Sequence, residues 1–241
     1  MNKKNDFSQK MHSYLRHPAS LIMMILVKLA ALITFTVLIF LIVYILVHGV
    51  PYLKPSLFSL HYNSENASLM PALINTVIMT LLSLLLAVPI GIFSAIFLAE
   101  YAGKGNKFVD IIRLTTETLS GIPSIVYGVF GMLFFVSTCH WGFSLLAGAF
   151  TLAIMILPLI MRTTEEALLS VPDSYREGSF GLGAGKLRTV FYIVLPSAVP
   201  GILAGVILAI GRIVGETAAL IYTAGSVAQV PSSVLGSGRT L

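Results

Sequence analysis

Charged residues and cysteine are scarce in this sequence of 241 residues. Asp, Glu, Lys and Arg make up 10% of the chain, whereas a soluble globular domain contains about 25% charged residues. The single cysteine, Cys139, excludes an internal disulfide. Hydrophobic residues are in excess at 56%, and the mean hydropathy is +0.92. These values indicate an integral membrane protein and leave no room for a separate soluble domain.

The sequence also lacks the common motifs of ATP-binding and catalytic sites. The GLGAGKL segment around Gly185 resembles a Walker A loop, but Phe180 stands where the first glycine is needed and Leu187 where Ser or Thr is needed. No HExxH, paired CxxC or GxSxG motif occurs. Cys139 and His140 are too few ligands for a metal site. We therefore predict no catalytic residues, no metal site and no cofactor bound by this chain.

Five hydrophobic segments are long enough to cross a membrane, which takes roughly 20 residues. The first is too long for the apolar region of a signal peptide and has no small-residue cleavage site after it, so we predict that it is retained. The predicted spans are 21–47, 71–99, a crossing within 109–137, 143–161 and 193–223. The sequence thus predicts an all-α, polytopic membrane helix bundle.

Basic residues are distributed unequally between the loops. Most of the 15 Lys and Arg residues fall in 1–20, 104–113 and 162–192, which alternating spans place on one side, while Lys54 and Arg239 lie on the other. Because short cytoplasmic loops are enriched in Lys and Arg, we predict a cytoplasmic N-terminal tail over 1–20 and a main cytoplasmic loop over 162–192. This distribution explains the net charge of +5 without a nucleic-acid partner.

The main cytoplasmic loop is predicted to contain a short helix between two turns. Pro172 favours a break after the fourth span, and Ser174-x-x-Glu177 has the form of a capping box, so a helix should begin near Ser174. Glycines at alternate positions in 181–185 should interrupt it, and a second short helix is expected at 186–192. This pattern alone fits a stiff lever between membrane helices and an ordinary capped loop helix equally well.

The spacing of residues in this loop resembles that of ABC importer permeases, which carry the pattern Glu-Ala-Ala-x3-Gly-x9-Ile-x-Leu-Pro. Its fixed positions are matched here by Glu177, Gly183, Ile193, Leu195 and Pro196, with Gly178 and Ser179 in place of the alanines. Three further stretches resemble phosphate permeases of the PstA type, and the PstC type shares part of this likeness. They are SGIPSIVYGVFG (120–131), SYREGSFGLGAGK (174–186) and GRIVGETAAL (211–220).

The resemblance implies the permease fold of a type I ABC importer in the bacterial inner membrane. In such an importer two permeases form the path, a dimer of the ATPase PstB holds ATP and Mg, and the binding protein PstS delivers phosphate. This chain would be one permease, PstC the second, and lipid would surround both. The loop helix would transmit closure of the ATPase, with coupling residues Ser174, Arg176, Glu177, Gly178, Ser179, Gly183, Ile193, Leu195 and Pro196.

Several alternatives stay open at the level of the sequence. A sulfate or molybdate permease and a PstC-type permease are the nearest rivals; a channel or carrier working alone and a membrane-embedded enzyme have less support. The resemblance also implies six crossings, whereas the sequence supplies five and stops in the outside loop before a sixth. We therefore expect either a truncated sequence or a fragment.

Arg212 and Glu216 are conspicuous charges within the fifth predicted span. An unpaired Arg at the centre of a membrane helix costs about 2.5–3.5 kcal/mol on insertion scales. At a spacing of four residues the two could share a helix face and neutralise each other. Alternatively they line the path: guanidinium matches a tetrahedral oxyanion, and a carboxylate accepts the proton that phosphate carries and sulfate lacks. The resemblance at GRIVGETAAL favours the second interpretation.

Overall fold

The computed structural model describes residues 18–60, 62, 68–102, 105 and 107–241. The described residues form helices, turns and irregular segments. Most of the predicted N-terminal tail 1–20, as well as Lys104, lies outside them. The chain divides into two compact units, Met1–Pro55 and Ser56–Leu241.

The first unit contains one long helix, α1 (Pro18–Gly49). It is apolar on every face, and nearly all of its side chains are exposed within the protein. A helix that is hydrophobic all round belongs in lipid. The first predicted span is confirmed as a helix of membrane-crossing length and composition.

The second unit is built around two helices, α2 (Met70–Ile96) and α5 (Leu145–Leu169). Pro71 occupies the first turn of α2, where its missing N–H is harmless. Ser83 of α2 donates a hydrogen bond to the carbonyl of Ala149 at 3.1 Å. The two helices share a core whose largest fully buried side chains include Met79, Leu152, Met155, Ile156 and Ile160.

A third long helix, α8 (Leu195–Val214), packs on α5 through two glycines. A Cβ atom at Gly201 would lie 2.7 Å from the Cβ of Ala167, and one at Gly205 would overlap the side chain of Thr163. Small residues at this spacing allow membrane helices to approach closely. The α5–α8 contact is therefore set by Gly201-x3-Gly205.

The predicted crossing within 109–137 contains a sharp bend. Its residues form α3 (Lys107–Ser120) and α4 (Ser124–Gly131), and a π-helical segment, Met132–Thr138, continues α4. The two parts are bent by 99°. Pro123 lies at the bend, and the residue before a proline is disfavoured in helical conformation. The described residues thus contain four membrane-length helices, or five if the bent pair is one span.

The ends of two other predicted spans also need correction. The fourth span was placed at 143–161, but α5 continues to Leu169, so the predicted loop 162–192 begins later. The fifth was placed at 193–223, but α8 ends at Val214, and a separate short helix, α9, covers Ala218–Ile221. Gly215 is the capping residue of α8, and its N–H bonds to the carbonyl of Gly211 at 3.1 Å.

Residues 224–241 contain no helix and fold over the starts of α2 and α5. The N–H groups of Leu145 and Leu146 donate to the carbonyls of Gly236 and Val234, at 3.1 and 2.9 Å. Asn75 donates to two carbonyls of the same segment. The first N–H groups of a helix have no partner within it, so this segment satisfies the start of α5.

Candidate functional site

The predicted loop helix is present as α6 (Asp173–Gly181), followed by α7 (Lys186–Thr189). Pro172 takes the cap position of α6 with an extended ψ of 138°, and no side chain caps the helix. The predicted capping box is wrong because Ser174 already lies inside the helix. The predicted start of the helix near Ser174 is confirmed. Ser174 and Glu177 are both exposed.

Gly183 ends the turn after α6 in a conformation that only glycine adopts readily. Its φ is +82°, its N–H bonds to the carbonyl of Phe180 at 2.9 Å, and the N–H of Ala184 bonds to the carbonyl of Ser179 at 3.1 Å. This pair of bonds is a Schellman motif. Leu182, at the tip of the turn, is 91% exposed.

Arg176 ties α6 to the ends of two membrane-length helices. Its guanidinium contacts the Glu100 carboxylate, with 2.7 Å between Nη2 and Oε1. It also donates to the carbonyl of Leu168 at 2.9 Å and to that of Val171 at 2.8 Å. The Arg176 side chain is only 15% exposed. Internal acceptors therefore occupy the Arg176 guanidinium.

Two further contacts fix α7, one to α6 and one to the segment that follows α2. The hydroxyls of Ser179 and Thr189 lie 2.8 Å apart and are buried. The ammonium of Lys186 lies 5.1 Å from the ring centre of Tyr101, within reach of a cation–π interaction. The predicted coupling residue Ser179 therefore joins the two short helices, and Lys186 contacts the residue next to Glu100.

The opposite face of α6 and α7 is uncovered. Glu177 and Gly178 are exposed, and among the described residues Glu177 makes no ion pair. A Cβ atom at Gly178 would meet nothing within 4 Å. Apolar side chains that follow in the chain are also exposed, with Leu187 and Tyr192 accessible by 65% and 77%. We call this surface, comprising Glu177, Gly178, Leu182, Leu187 and Tyr192, the α6–α7 face.

The remaining predicted coupling residues lie where α7 joins α8. Ile193 belongs to a π-helical segment, Val190–Val194, which runs from α7 into α8. Leu195 packs against a second core cluster that includes Ala95, Leu168 and Val194. Pro196 falls in the first turn of α8. These residues anchor α7 in the bundle and lie apart from the exposed α6–α7 face.

Arg212 and Glu216 lie on either side of the break after α8. Arg212 is in the last turn of α8, where a cation is favoured by the helix dipole. Glu216 lies beyond the helix, and its Oε1 accepts the N–H of Ala219 at 3.0 Å. Within the described part of the chain no ion pair joins them. The hypothesis of an internal pair on one helix face is therefore wrong.

The segment after the break at the end of α8 lies in close contact with α4, the second helix of the bent pair. A Cβ atom at Gly128 in α4 would lie 2.8 Å from the Cα of Ala219. The hydroxyl of the neighbouring Tyr127 donates to the carbonyl of Leu119 at 2.8 Å. The stretches 120–131 and 211–220 are thus brought together, which their sequence separation does not reveal.

A charged cluster between α3 and α5 was not predicted. Arg113 of α3 pairs with Glu165 of α5, with 2.8 Å between Nε and Oε1. Arg162 pairs with Glu166 at 3.0 Å within α5. The sequence did not indicate this cluster, because the fourth span was predicted to end at residue 161, before Arg162 and Glu165.

These features define the class as a multi-pass helical membrane protein with a short helical unit fixed to one end and a charge-bearing break within the bundle. The comparisons identify the family. Residues 87–239 match the model of the binding-protein-dependent transport system inner membrane component, and the chain belongs to this family. The predicted class, a membrane permease that is not itself an enzyme, is confirmed.

Several named relatives are similar to the chain. It is 39% identical over 199 residues to the probable ABC transporter permease protein YqgI of Bacillus subtilis, covering 82% of this chain and 67% of that protein. It is 38% identical over 178 residues to the phosphate transport system permease protein PstA of Haemophilus influenzae, covering 73% and 62%. A PstA 2 protein of Mycobacterium bovis is 40% identical over 161 residues, covering 67% and 53%.

The chain thus spans between about half and two thirds of the length of these relatives. Among solved structures, a chain of the MetNI methionine ABC transporter in an inward-facing conformation matches with a TM-score of 0.51 and 23% identity. The match covers 60% of this chain and 67% of that one. It confirms the predicted fold class, an ABC importer permease fold.

Proposed function

We propose that this chain is a PstA-type permease subunit of an ATP-driven phosphate importer. The relatives from Haemophilus influenzae and Mycobacterium bovis, named as PstA permeases, support phosphate as the substrate and favour the PstA type over the PstC type. The observation that carries the proposal is the α6–α7 unit, which is fixed to the bundle on one side and uncovered on the other. A helix held in this way can pass a partner's movement to the membrane helices.

The partner on the α6–α7 face is proposed to be the ATPase PstB, working as a dimer that holds ATP and Mg. The face combines an open space above Gly178, exposed apolar side chains and the free carboxylate of Glu177. Apolar residues with a small residue at the centre suit a close protein contact. The second permease, PstC, would complete the path.

This assignment fixes an orientation as part of the proposal. The basic residues Arg176, Lys186 and Arg188 lie in the α6–α7 unit, so this end and the N-terminus are cytoplasmic under the positive-inside rule. The binding protein PstS would then deliver phosphate at the opposite end, where residues 224–241 cover the starts of α2 and α5.

The proposed contacts with phosphate are Arg212 and Glu216. Both side chains are partly buried at the break after α8, and a broken helix near an ion path leaves polar groups free to meet an ion. Arg212 would attract the anion, and Glu216 would accept the proton of phosphate. The affinity must stay modest, because a path has to release what it binds.

The test is uptake of labelled phosphate by proteoliposomes that contain this chain with PstC, PstB and PstS. We expect ATP-dependent uptake by the wild type and none by Arg212→Gln, with an unchanged amount of PstB bound to both. Wild-type uptake by a fully assembled Arg212→Gln transporter would contradict the role of Arg212. Absence of ATP-dependent phosphate uptake by the wild type would contradict the proposed function.

A further inference from the structure

Glu100 and Arg176 form a largely buried ion pair between α2 and α6. The side chains are 8% and 15% exposed, and both Nε and Nη2 of Arg176 contact the carboxylate. We infer that this pair is the positioning link through which a movement of α6 reaches α2. The inference rests on the proposed function, since it assumes that an ATPase moves α6.

The segment that continues α2 and carries Glu100 departs from α-helical geometry. Residues Phe97–Tyr101 are π-helical, which adds one residue to the turn. One residue corresponds to about 100° of rotation in an α-helix, so a regular helix would turn Glu100 to a different side. π-helical turns occur frequently at functional sites. The local backbone of α2 is therefore matched to the position of Arg176.

Arg176 also connects the end of α5 to the same link. Its Nη groups donate to the carbonyl of Leu168, in the last turn of α5, at 2.9 Å and to that of Val171, just beyond the helix, at 2.8 Å. The final carbonyls of a helix have no partner within it. One guanidinium thus holds α6, the end of α5 and the end of α2 in a fixed arrangement.

The other ion pairs differ in what they connect. Arg162–Glu166 lies within α5 and is exposed, with side chains 56% and 64% accessible. Arg113–Glu165 joins α3 to α5. Among the ion pairs of the described residues, Glu100–Arg176 is the one that joins α6 to a membrane-length helix. Exposed pairs contribute little to stability, so Glu166 provides a matched control.

The experiment measures coupling in the reconstituted four-component transporter. The variants are Glu100→Gln and Arg176→Lys, which keep size or charge, the double variant, and Glu166→Gln as the control. We expect the phosphate transported per ATP hydrolysed to fall about tenfold in both single variants, a range typical of coupling energies, while the amount of bound PstB is unchanged. The double variant should be no worse than either single one, because the two residues act as a unit.

A second readout does not depend on the substrate. In a Cys139→Ser background, spin labels at Phe93→Cys in α2 and Leu203→Cys in α8, both exposed positions, report the distance between the two helices. We expect ATP to change this distance in the wild type and in Glu166→Gln, and to leave it unchanged in Glu100→Gln.

The outcomes separate the inference from the proposed function. If ATP changes the distance in the wild type and not in Glu100→Gln, the link is supported even where phosphate is not transported. If Glu100→Gln keeps both the ATP-driven distance change and the coupling ratio, the inference is overturned. A purely structural role, seen as less assembled transporter with normal coupling in the remainder, overturns it as well, as does a wild-type distance that ATP does not change.

Discussion

Substitutions at Gly178 separate the stability of α6 from its docking. Gly178 lies inside α6, is exposed, and has nothing within 4 Å of the position of a Cβ atom. Glycine inside a helix is about 0.8–1.0 kcal/mol less favourable than alanine, and leucine is close to alanine on the same scale. Both Gly178→Ala and Gly178→Leu should therefore stabilise α6 by up to about 1 kcal/mol.

The two variants should differ once the ATPase is present. Alanine is the residue that the permease pattern carries at this position, so it should fit beneath a docked partner. Leucine adds three further carbon atoms at the centre of the α6–α7 face, and a forced fit of extra carbon atoms costs typically about 1–3 kcal/mol. Such a cost corresponds to a loss of affinity of roughly fivefold to 150-fold.

The assay compares PstB retained by the detergent-purified permease pair and ATP hydrolysis stimulated by phosphate-loaded PstS. Gly178→Ala should match the wild type in both, whereas Gly178→Leu should retain little PstB although the permease itself is folded. Gly181→Leu is the matched control, because a Cβ atom there also meets nothing within 4 Å and the residue lies at the end of α6. Full PstB binding and full stimulation by Gly178→Leu would refute the docking of an ATPase on this face.

Three further substitutions test other parts of the account. Gly183→Ala forces a side chain into φ +82°, which costs about 1–2 kcal/mol. Limited proteolysis should therefore cut the turn after α6 faster, and an unchanged rate would contradict the Schellman motif. Gly128→Ala should lower thermal stability in detergent, because its Cβ would lie 2.8 Å from Ala219, and a melting temperature equal to that of the wild type would contradict the close contact of α4 with α9. Glu216→Gln should weaken phosphate uptake or admit sulfate; unchanged uptake and selectivity would remove Glu216 from the path.

Long apolar segments were predictable because their physical cause is local. The α1 and α2 helices follow from runs of hydrophobic residues, which must form hydrogen-bonded helices in lipid. The break after α6 followed from glycine, since Gly183 adopts a conformation that other residues avoid. In these places the sequence near each residue decides the structure.

Contacts between distant segments were not predictable in the same way. Arg176 looks like a free surface cation in the sequence, and its partner Glu100 is 76 positions away. The end of α8 at Val214 was missed because 193–223 is apolar apart from a few residues such as Arg212 and Glu216, while the close approach of Ala219 to Gly128 joins segments far apart in the sequence. Hydropathy indicates which segments lie in lipid, but it does not show the residue at which each helix ends. Because α8 ends at Val214, between Arg212 and Glu216, the interpretation of these two residues as neighbours on one helix was wrong.

The central claim is that this chain conducts phosphate in an ATP-driven importer. Its most direct test is competition during ATP-dependent uptake of labelled phosphate by the reconstituted transporter, with unlabelled phosphate or sulfate added in excess. We expect unlabelled phosphate to abolish the uptake of labelled phosphate. We expect sulfate to leave that uptake unchanged, because sulfate lacks the proton that Glu216 would accept. Equal competition by sulfate, or uptake that continues without ATP, would contradict the central claim.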